Sequence, residues 1–249
     1  GWLSDRVGRK WVMWGGMTLA LVAFFPASRA LTPLANPALA AAQKRTPVVV
    51  VADPARCSLQ FDILGKGAFA TACDLAKTAL ANDGVSYANQ VAPAGAVARV
   101  EIGDRIVVSR DGAGLAPAAL KSAAEEVKGR IGAGLQAAGY PKAADPTRLN
   151  FWGLFAVLMI FVVAATALYG PQAAALVELF PTRIRYTALS LPYHVGTGWV
   201  GGFLPVTAFA IVTATGDIYS GLWYPVIFTG LSVVTLPFLL PETRRRSIE

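Results

Sequence analysis

The chain has 249 residues, of which 55% are hydrophobic and only 15% charged, with a mean hydropathy of +0.50. That balance lies above ordinary soluble usage in apolar content and below it in charge, so it excludes most soluble classes and is accounted for by membrane helices. The formal net charge of +7 does not mark a nucleic-acid partner, because nine of the 22 Lys and Arg lie outside the central polar stretch, mostly at apolar edges, and no basic helix or aromatic-basic surface motif accompanies them.

In chain order, the first ten residues put Asp5, Arg6, Arg9 and Lys10 around Gly8, directly before an apolar run. Such a density of charge does not enter lipid, and glycine permits a tight turn, so the decapeptide is expected to be a short cytoplasmic loop between two membrane helices, the earlier of which precedes Gly1. Trp11 to about Ser28 is a marginal first span. Arg29 and the prolines beyond it read as an exit from the membrane, and Asn36-Pro37 as a cap with proline at the first position of a short helix. Three clearer spans are expected at Asn150 to Val177, Ala188 to Ala214 and Leu222 to Leu240, each near the 20 or so apolar residues that a bilayer requires. A rival reading takes the N-terminus as a signal peptide cleaved near Ala38-Leu39-Ala40, but the segment ahead of the apolar core has more organisation than a signal needs.

The stretch from about Gln43 to Arg148 mixes charges with short β-branched runs, which predicts a small soluble α+β insert within residues 36–148, between domains at 1–35 and 149–249. Val48 to Val51 reads as a buried strand, and Ala96 to Glu101 leads through Gly103-Asp104 into Arg105 to Ser109 as a hairpin. Leu120, Val127, Ile131 and Leu135 follow Pro117 near helical spacing and predict an amphipathic helix that ends at Gly139-Tyr140-Pro141. Short-loop basic residues fall before Trp11, at Arg183 and Arg185, and at Arg244, Arg245 and Arg246, which puts these on the cytoplasmic side of the inner (plasma) membrane. The insert is then periplasmic or extracellular. In that compartment Cys57 and Cys73 are expected to close a disulfide, the alternative being two buried free thiols.

Candidate chemistry is sparse. Gly196-Thr197-Gly198-Trp199-Val200-Gly201 fits GxGxxG formally, but it lies inside a span with no preceding strand, so dinucleotide binding is rejected. Gly198 and Gly202 have the spacing that lets helices pack closely, and Pro205 is placed to bend the same helix. His194 is the only histidine. An imidazole within a membrane helix, titrating in the neutral range, reads either as a proton or substrate group or as a neutral side chain bonded to a neighbouring helix. Tyr169 and Tyr193 could bond a substrate through their hydroxyls or serve as packing and interfacial anchors. One histidine and two cysteines on opposite sides of the expected topology cannot supply usual zinc ligation, and no Ser or Cys has a His-plus-acid arrangement. No metal, cofactor or enzymatic activity is expected.

The charged motifs then match a family. Gly1 to Lys10 resembles the signature loop of the major facilitator superfamily. Leu168-Tyr169-Gly170-Pro171 and the run from Glu178 through Pro181, Arg183 and Arg185 to Thr187 are similar to the tenth helix and following loop of its metabolite:proton symporter branch. Pro241-Glu242-Thr243-Arg244 is similar to the usual start of its C-terminal tail. The resemblance implies four helices of one major facilitator half, nine to twelve of twelve, with the N-terminal half of the transporter as a missing partner. It also implies that Asp5, Arg6, Arg9, Glu178, Arg183, Arg185 and Glu242 belong to a cytoplasmic gate. Function by this reading is alternating-access symport of a small polar metabolite with protons, the substrate being an organic acid or compatible solute. Two alternatives are a sugar-porter relative and a membrane-anchored binding or sensing protein whose working part is the insert.

Overall fold

A computed structural model describes residues 1–63, 67 and 69–243; Arg244, Arg245 and Arg246 of the tail fall outside the described residues. Helices α1 (Trp2–Val7), α2 (Arg9–Ala35) and α3 (Pro37–Arg45) lead into β1 (Val48–Ala52). The insert continues through α4 (Ala72–Asn82), β2 (Tyr87–Val91), β3 (Arg99–Ile102), β4 (Arg105–Val108) and α5 (Pro117–Ala137). Three apolar segments close the chain: α6 (Phe151–Leu179), a third span built from α7 (Arg185–His194), a π-helical stretch at Val195–Gly201 and α8 (Gly202–Thr215), and finally α9 (Trp223–Leu239).

Among the described residues four helical segments are long and apolar enough to cross a bilayer, Arg9–Ala35, Phe151–Leu179, Arg185–Thr215 and Ser220–Leu239, which makes this a multi-pass membrane protein. Phe151, Trp152, Phe155 and Leu158 of α6 and Ile227, Leu231, Val234 and Phe238 of α9 are exposed. Only lipid or further helices could cover so much apolar surface. The first span is longer than expected. Helix α2 runs on through Arg29 and Pro33 to Ala35, because each proline removes a single N–H donor and the ladder on either side carries the helix past it. The opening decapeptide is likewise no simple loop, since Trp2–Val7 forms a short helix that stops at Gly8, where φ is +119°.

The chain forms two compact units. One comprises Gly1–Leu31, Phe151–Pro205 and Leu222–Glu249, and the other Thr32–Asn150 and Val206–Gly221. In the first unit helices approach closely at Gly16, where a Cβ would lie 2.8 Å from Ala167 Cβ and 2.9 Å from the Ala164 carbonyl. A small residue lets two membrane helices touch at the backbone. Phe24 with Phe161 and Phe25 with Trp223 pack as ring pairs in the same unit.

The insert in the second unit is larger than the small appendage expected from sequence, since it builds a complete core of its own. Its sheet has the order β2-β1-β3-β4, with β1 and β2 parallel across the α4 crossover and the remaining pairs antiparallel. Leu80 of α4, Val127 and Ile131 of α5, and Val50, Val100 and Ile102 of the sheet are fully buried between the helices and the strands. Local signals set the ends. Asn36 accepts from Leu39 N–H ahead of Pro37, Thr71 accepts from Asp74 N–H at the start of α4, and Gly103 takes φ +57° in the two-residue turn of the β3–β4 hairpin.

Cys57 and Cys73 are disulfide-bonded, with their Cα atoms 5.2 Å apart. The loop they close is pinned a second time at Asp74, whose fully buried carboxylate accepts from Ser58 N–H at 2.8 Å and from the Ser58 hydroxyl at 2.9 Å. Asp53 holds the neighbouring loops by accepting from the N–H groups of Gly95 and Ala55, which keep its carboxyl below the usual range. Replacing both cysteines by serine is expected to lower the stability of the insert by about 3 kcal/mol, the chain-entropy value for a loop of this size. Denaturant unfolding followed by far-UV circular dichroism checks this; an unshifted midpoint would show that the Asp74 bonds alone hold the loop.

Candidate functional site

Gly8 breaks the backbone between α1 and α2, which leaves the first N–H groups of α2 without partners inside the helix. The carboxylate of Glu242, immediately after α9, supplies them: Oε1 accepts from Arg9 N–H at 3.0 Å and Oε2 from Lys10 N–H at 3.3 Å. A negative charge there also complements the positive end of the helix dipole. Gly8 is required twice, because its φ is positive and because a Cβ would lie 2.5 Å from Glu242 Oε2. Lys10 ties the same corner by donating from Nζ to the Pro237 carbonyl at 3.1 Å, and Trp14 Nε1 donates to the Val233 carbonyl one turn further on.

Arg9 is the hub of the charged residues. Its guanidinium lies 2.7 Å from Glu178 at the end of α6 and 3.8 Å from Asp5. The Arg9 and Glu178 side chains are only 16% and 8% exposed, so the pair stands largely out of water, whereas Asp5 is 64% exposed and adds little. Arg9 Nε, Glu178 Oε2 and Thr243 Oγ1 are buried here without a hydrogen-bond partner among the described residues.

The remaining gate candidates lie elsewhere. Arg185 donates from Nε to the Phe180 carbonyl and Arg183 is exposed, while Arg6 lies over the Trp2 ring with its guanidinium carbon 4.1 Å from the centroid. Thus Asp5, Arg9, Glu178 and Glu242 come together, and no ion pair links Arg183 or Arg185 to them among the described residues.

His194 and Tyr193 adjoin each other, and Tyr169 does not converge on them. His194 packs edge-on against Tyr193 and lines a shallow hollow of about 370 Å³ with Thr187, Ser190 and Trp199. Tyr169 lines a different cavity of about 410 Å³, walled by Phe24, Phe161, Phe228, Thr229 and Ser232. Gly198 and Gly202 face open space, so the close packing expected of them occurs instead at Gly16. Sequence reading missed Gly16 because only the contact with Ala164 and Ala167 distinguishes it from other glycines.

Around Pro205 the third span changes its winding. The π-helical stretch ends at Gly201, and in the α-helix that follows Pro205 has no N–H to offer the Gly201 carbonyl. Beside it the Tyr224 hydroxyl donates to the Val200 carbonyl at 2.9 Å, which ties this turn to α9.

Residues 134–249 match the family described as sugar (and other) transporter. The chain is similar to the inner membrane metabolite transport protein YhjE of Escherichia coli, with 35% identity over 95 residues, covering 38% of this chain and 21% of that protein. It is also similar to the glycine betaine/proline/ectoine/pipecolic acid transporter OusA of Dickeya dadantii, at 28% over 96 residues, and to the proline/betaine transporter of Salmonella typhimurium, at 26% over 96 residues; each match covers 39% of this chain and 19% of the relative. The chain spans about a fifth of the length of the curated relatives it matches. No solved structure matches it. The homology is to secondary transporters of the major facilitator type.

If Glu242 caps α2, Gly8→Val should destabilise the protein by about 1–3 kcal/mol through backbone strain together with the displaced carboxylate. Glu242→Gln, which keeps one acceptor and loses the charge, should cost less, about 0.5–1 kcal/mol. Thermal melts in detergent rank the two; the reverse order would reject the cap.

Proposed function

We propose that the four spans act as helices nine to twelve of a proton-coupled symporter for a small polar metabolite, an organic acid or a compatible solute, with the insert on the periplasmic side. The observation that carries this reading is the buried Arg9–Glu178 pair, joined at the same corner by Glu242. A buried pair is stable only while its geometry is kept, so a network that ties the start of α2 to the ends of α6 and α9 favours one conformation over others. Alternating access needs such a bias, since one bundle of helices rocks against another around a central solute site. His194, Tyr193 and Tyr169 are the proposed solute- or proton-facing groups, and the π-helical stretch with Pro205 the flexible point of the third span. Arg6, Arg183 and Arg185 act in this reading as cations of the cytoplasmic face that stand outside the pair. Relatives named for the transport of metabolites, proline and betaine support the substrate class.

Removing one member of a buried pair leaves an uncompensated charge, at a cost of about 3–5 kcal/mol. Arg9→Gln and Glu178→Gln are therefore each expected to lower turnover at least about tenfold. Uptake of radiolabelled proline, betaine and a dicarboxylate into proteoliposomes of the native protein, with and without a proton gradient, measures this. Wild-type turnover in both variants would remove the pair from the mechanism.

A second reading, in which the insert binds a solute, is favoured by one feature. A groove of about 690 Å³ is lined by Gly129, Gly132 and Ala133 of α5, by Asp83, Glu125, Lys128 and Lys142, and by Tyr140. A Cβ at Gly132 would meet nothing within 4 Å. Gly132→Leu should therefore fill the groove without disturbing the core and abolish any thermal shift that amino acids, betaines or organic acids produce in the wild-type protein. A shift retained in Gly132→Leu would exclude the groove as the binding site.

A further inference from the structure

Strand β2 is one edge of the insert's sheet, and an edge strand presents unpaired backbone and side-chain groups. Here they meet the end of the third membrane span. Tyr87 N–H donates to the Gly216 carbonyl at 2.8 Å, and the Tyr87 hydroxyl to the Thr213 carbonyl at 2.9 Å. Asn89 Nδ2 donates to the carbonyls of Ala214 and Thr215 at 3.2 and 3.0 Å, and Ile218 N–H donates back to the Ser86 hydroxyl. The last carbonyls of a helix have no partner within it, so the insert acts as the C-terminal cap of α8. The fit is close: Gly216 has φ +84°, and a Cβ there would lie 2.2 Å from the Tyr87 carbonyl oxygen.

The same turn is held from other directions. Thr32, near the end of α2, shares a hydroxyl bond of 2.6 Å with Tyr219, and Asp217 accepts from Tyr219 N–H. The division between the two compact units falls inside the third span, directly after Pro205. The π-helical stretch Val195–Gly201 lies just ahead of that point, and π-turns and prolines are the usual places where a helix bends.

We propose that the insert is a brace on the third span, with Tyr87 and Asn89 as positioning residues that make Val206–Thr215 move with the insert, and with Val195–Pro205 as the hinge about which that half of the span turns. The brace goes beyond the transport reading and does not depend on the solute. Its physical basis is the difference between the two ends of α8. The C-terminal end is tied to the insert by bonds to three consecutive carbonyls and to Gly216. The N-terminal end adjoins a wide π-helical turn and Pro205, which has no N–H for the turn before it. A displacement of the insert therefore reaches the span as rotation at the hinge, because a π-turn and a proline are where a helix bends.

Hydrogen exchange of the full chain in lipid nanodiscs tests the coupling. Tyr87→Phe with Asn89→Ala releases the brace from the insert side, and Gly216→Ala releases it from the membrane side by steric conflict. Both are expected to speed exchange at least about tenfold in Val212–Tyr219 and also in Val195–Gly201, while β1 and β3 keep their protection. Asn89 is solvent-exposed, so Asn89→Ala alone spares the core and decides the matter if the double variant loses protection in β1. Faster exchange confined to Val212–Tyr219, with wild-type exchange at Val195–Gly201, would overturn the brace and leave a local cap. Unchanged exchange in both segments would overturn the cap as well.

Discussion

A membrane helix leaves its first N–H groups and last carbonyls without partners in the helix, and near lipid there is little water to replace them. The arrangement of this chain follows from how those ends are supplied. Glu242 serves the start of α2, Tyr224 bonds the Val200 carbonyl beside Pro205, and Tyr87 and Asn89 serve the end of α8. For Glu242, Tyr87 and Asn89 the partner comes from a distant part of the sequence. The caps therefore join segments that the connecting loops leave independent.

The charged corner at Gly8 shows how charge and burial divide the work among similar residues. Several cations lie near the ends of the spans, and among the described residues Arg9 pairs with a carboxylate that is itself buried. Exposed pairs such as Arg9–Asp5 are worth about 0–1 kcal/mol and are weakened by salt. The Arg9–Glu178 pair differs because both groups have left water, so its loss is far more costly than its formation is favourable. That asymmetry suits a switch, in which an interaction must be decisive in one state and replaceable in another. Arg185 has the local sequence setting of a gate residue but spends its Nε on the Phe180 carbonyl, five residues back along its own chain.

Much of the architecture was legible because its causes are local. Runs of apolar residues identify the spans whatever they pack against, and Asn36-Pro37 and Gly103-Asp104 mark a cap and a hairpin through their own backbone chemistry. The disulfide was readable as one of two alternatives, since spacing and expected compartment favour it without excluding free thiols. Other elements had no local signal. Strand β2, Tyr-Ala-Asn-Gln-Val, lacks the alternation of a half-buried strand because part of its environment is the end of α8, and Gly16 reads like any membrane glycine until Ala164 and Ala167 are placed beside it. The end of α2 was misplaced because isolated prolines in a long apolar helix each remove one bond and do not stop it.

The sequence by itself determined the partition into apolar spans and a polar insert, since hydropathy and local caps act over a few residues and are independent of the rest of the fold. It also narrowed the charged residues that could form a gate to a short set. Only the tertiary structure decided which of these meet, with Arg9, Glu178 and Glu242 together and Arg183 and Arg185 apart, and only it placed the edge of β2 on the end of the third span. Both outcomes depend on hydrogen bonds between residues more than a hundred positions apart, whose formation is decided by three-dimensional distance and burial and leaves no periodic trace in the chain.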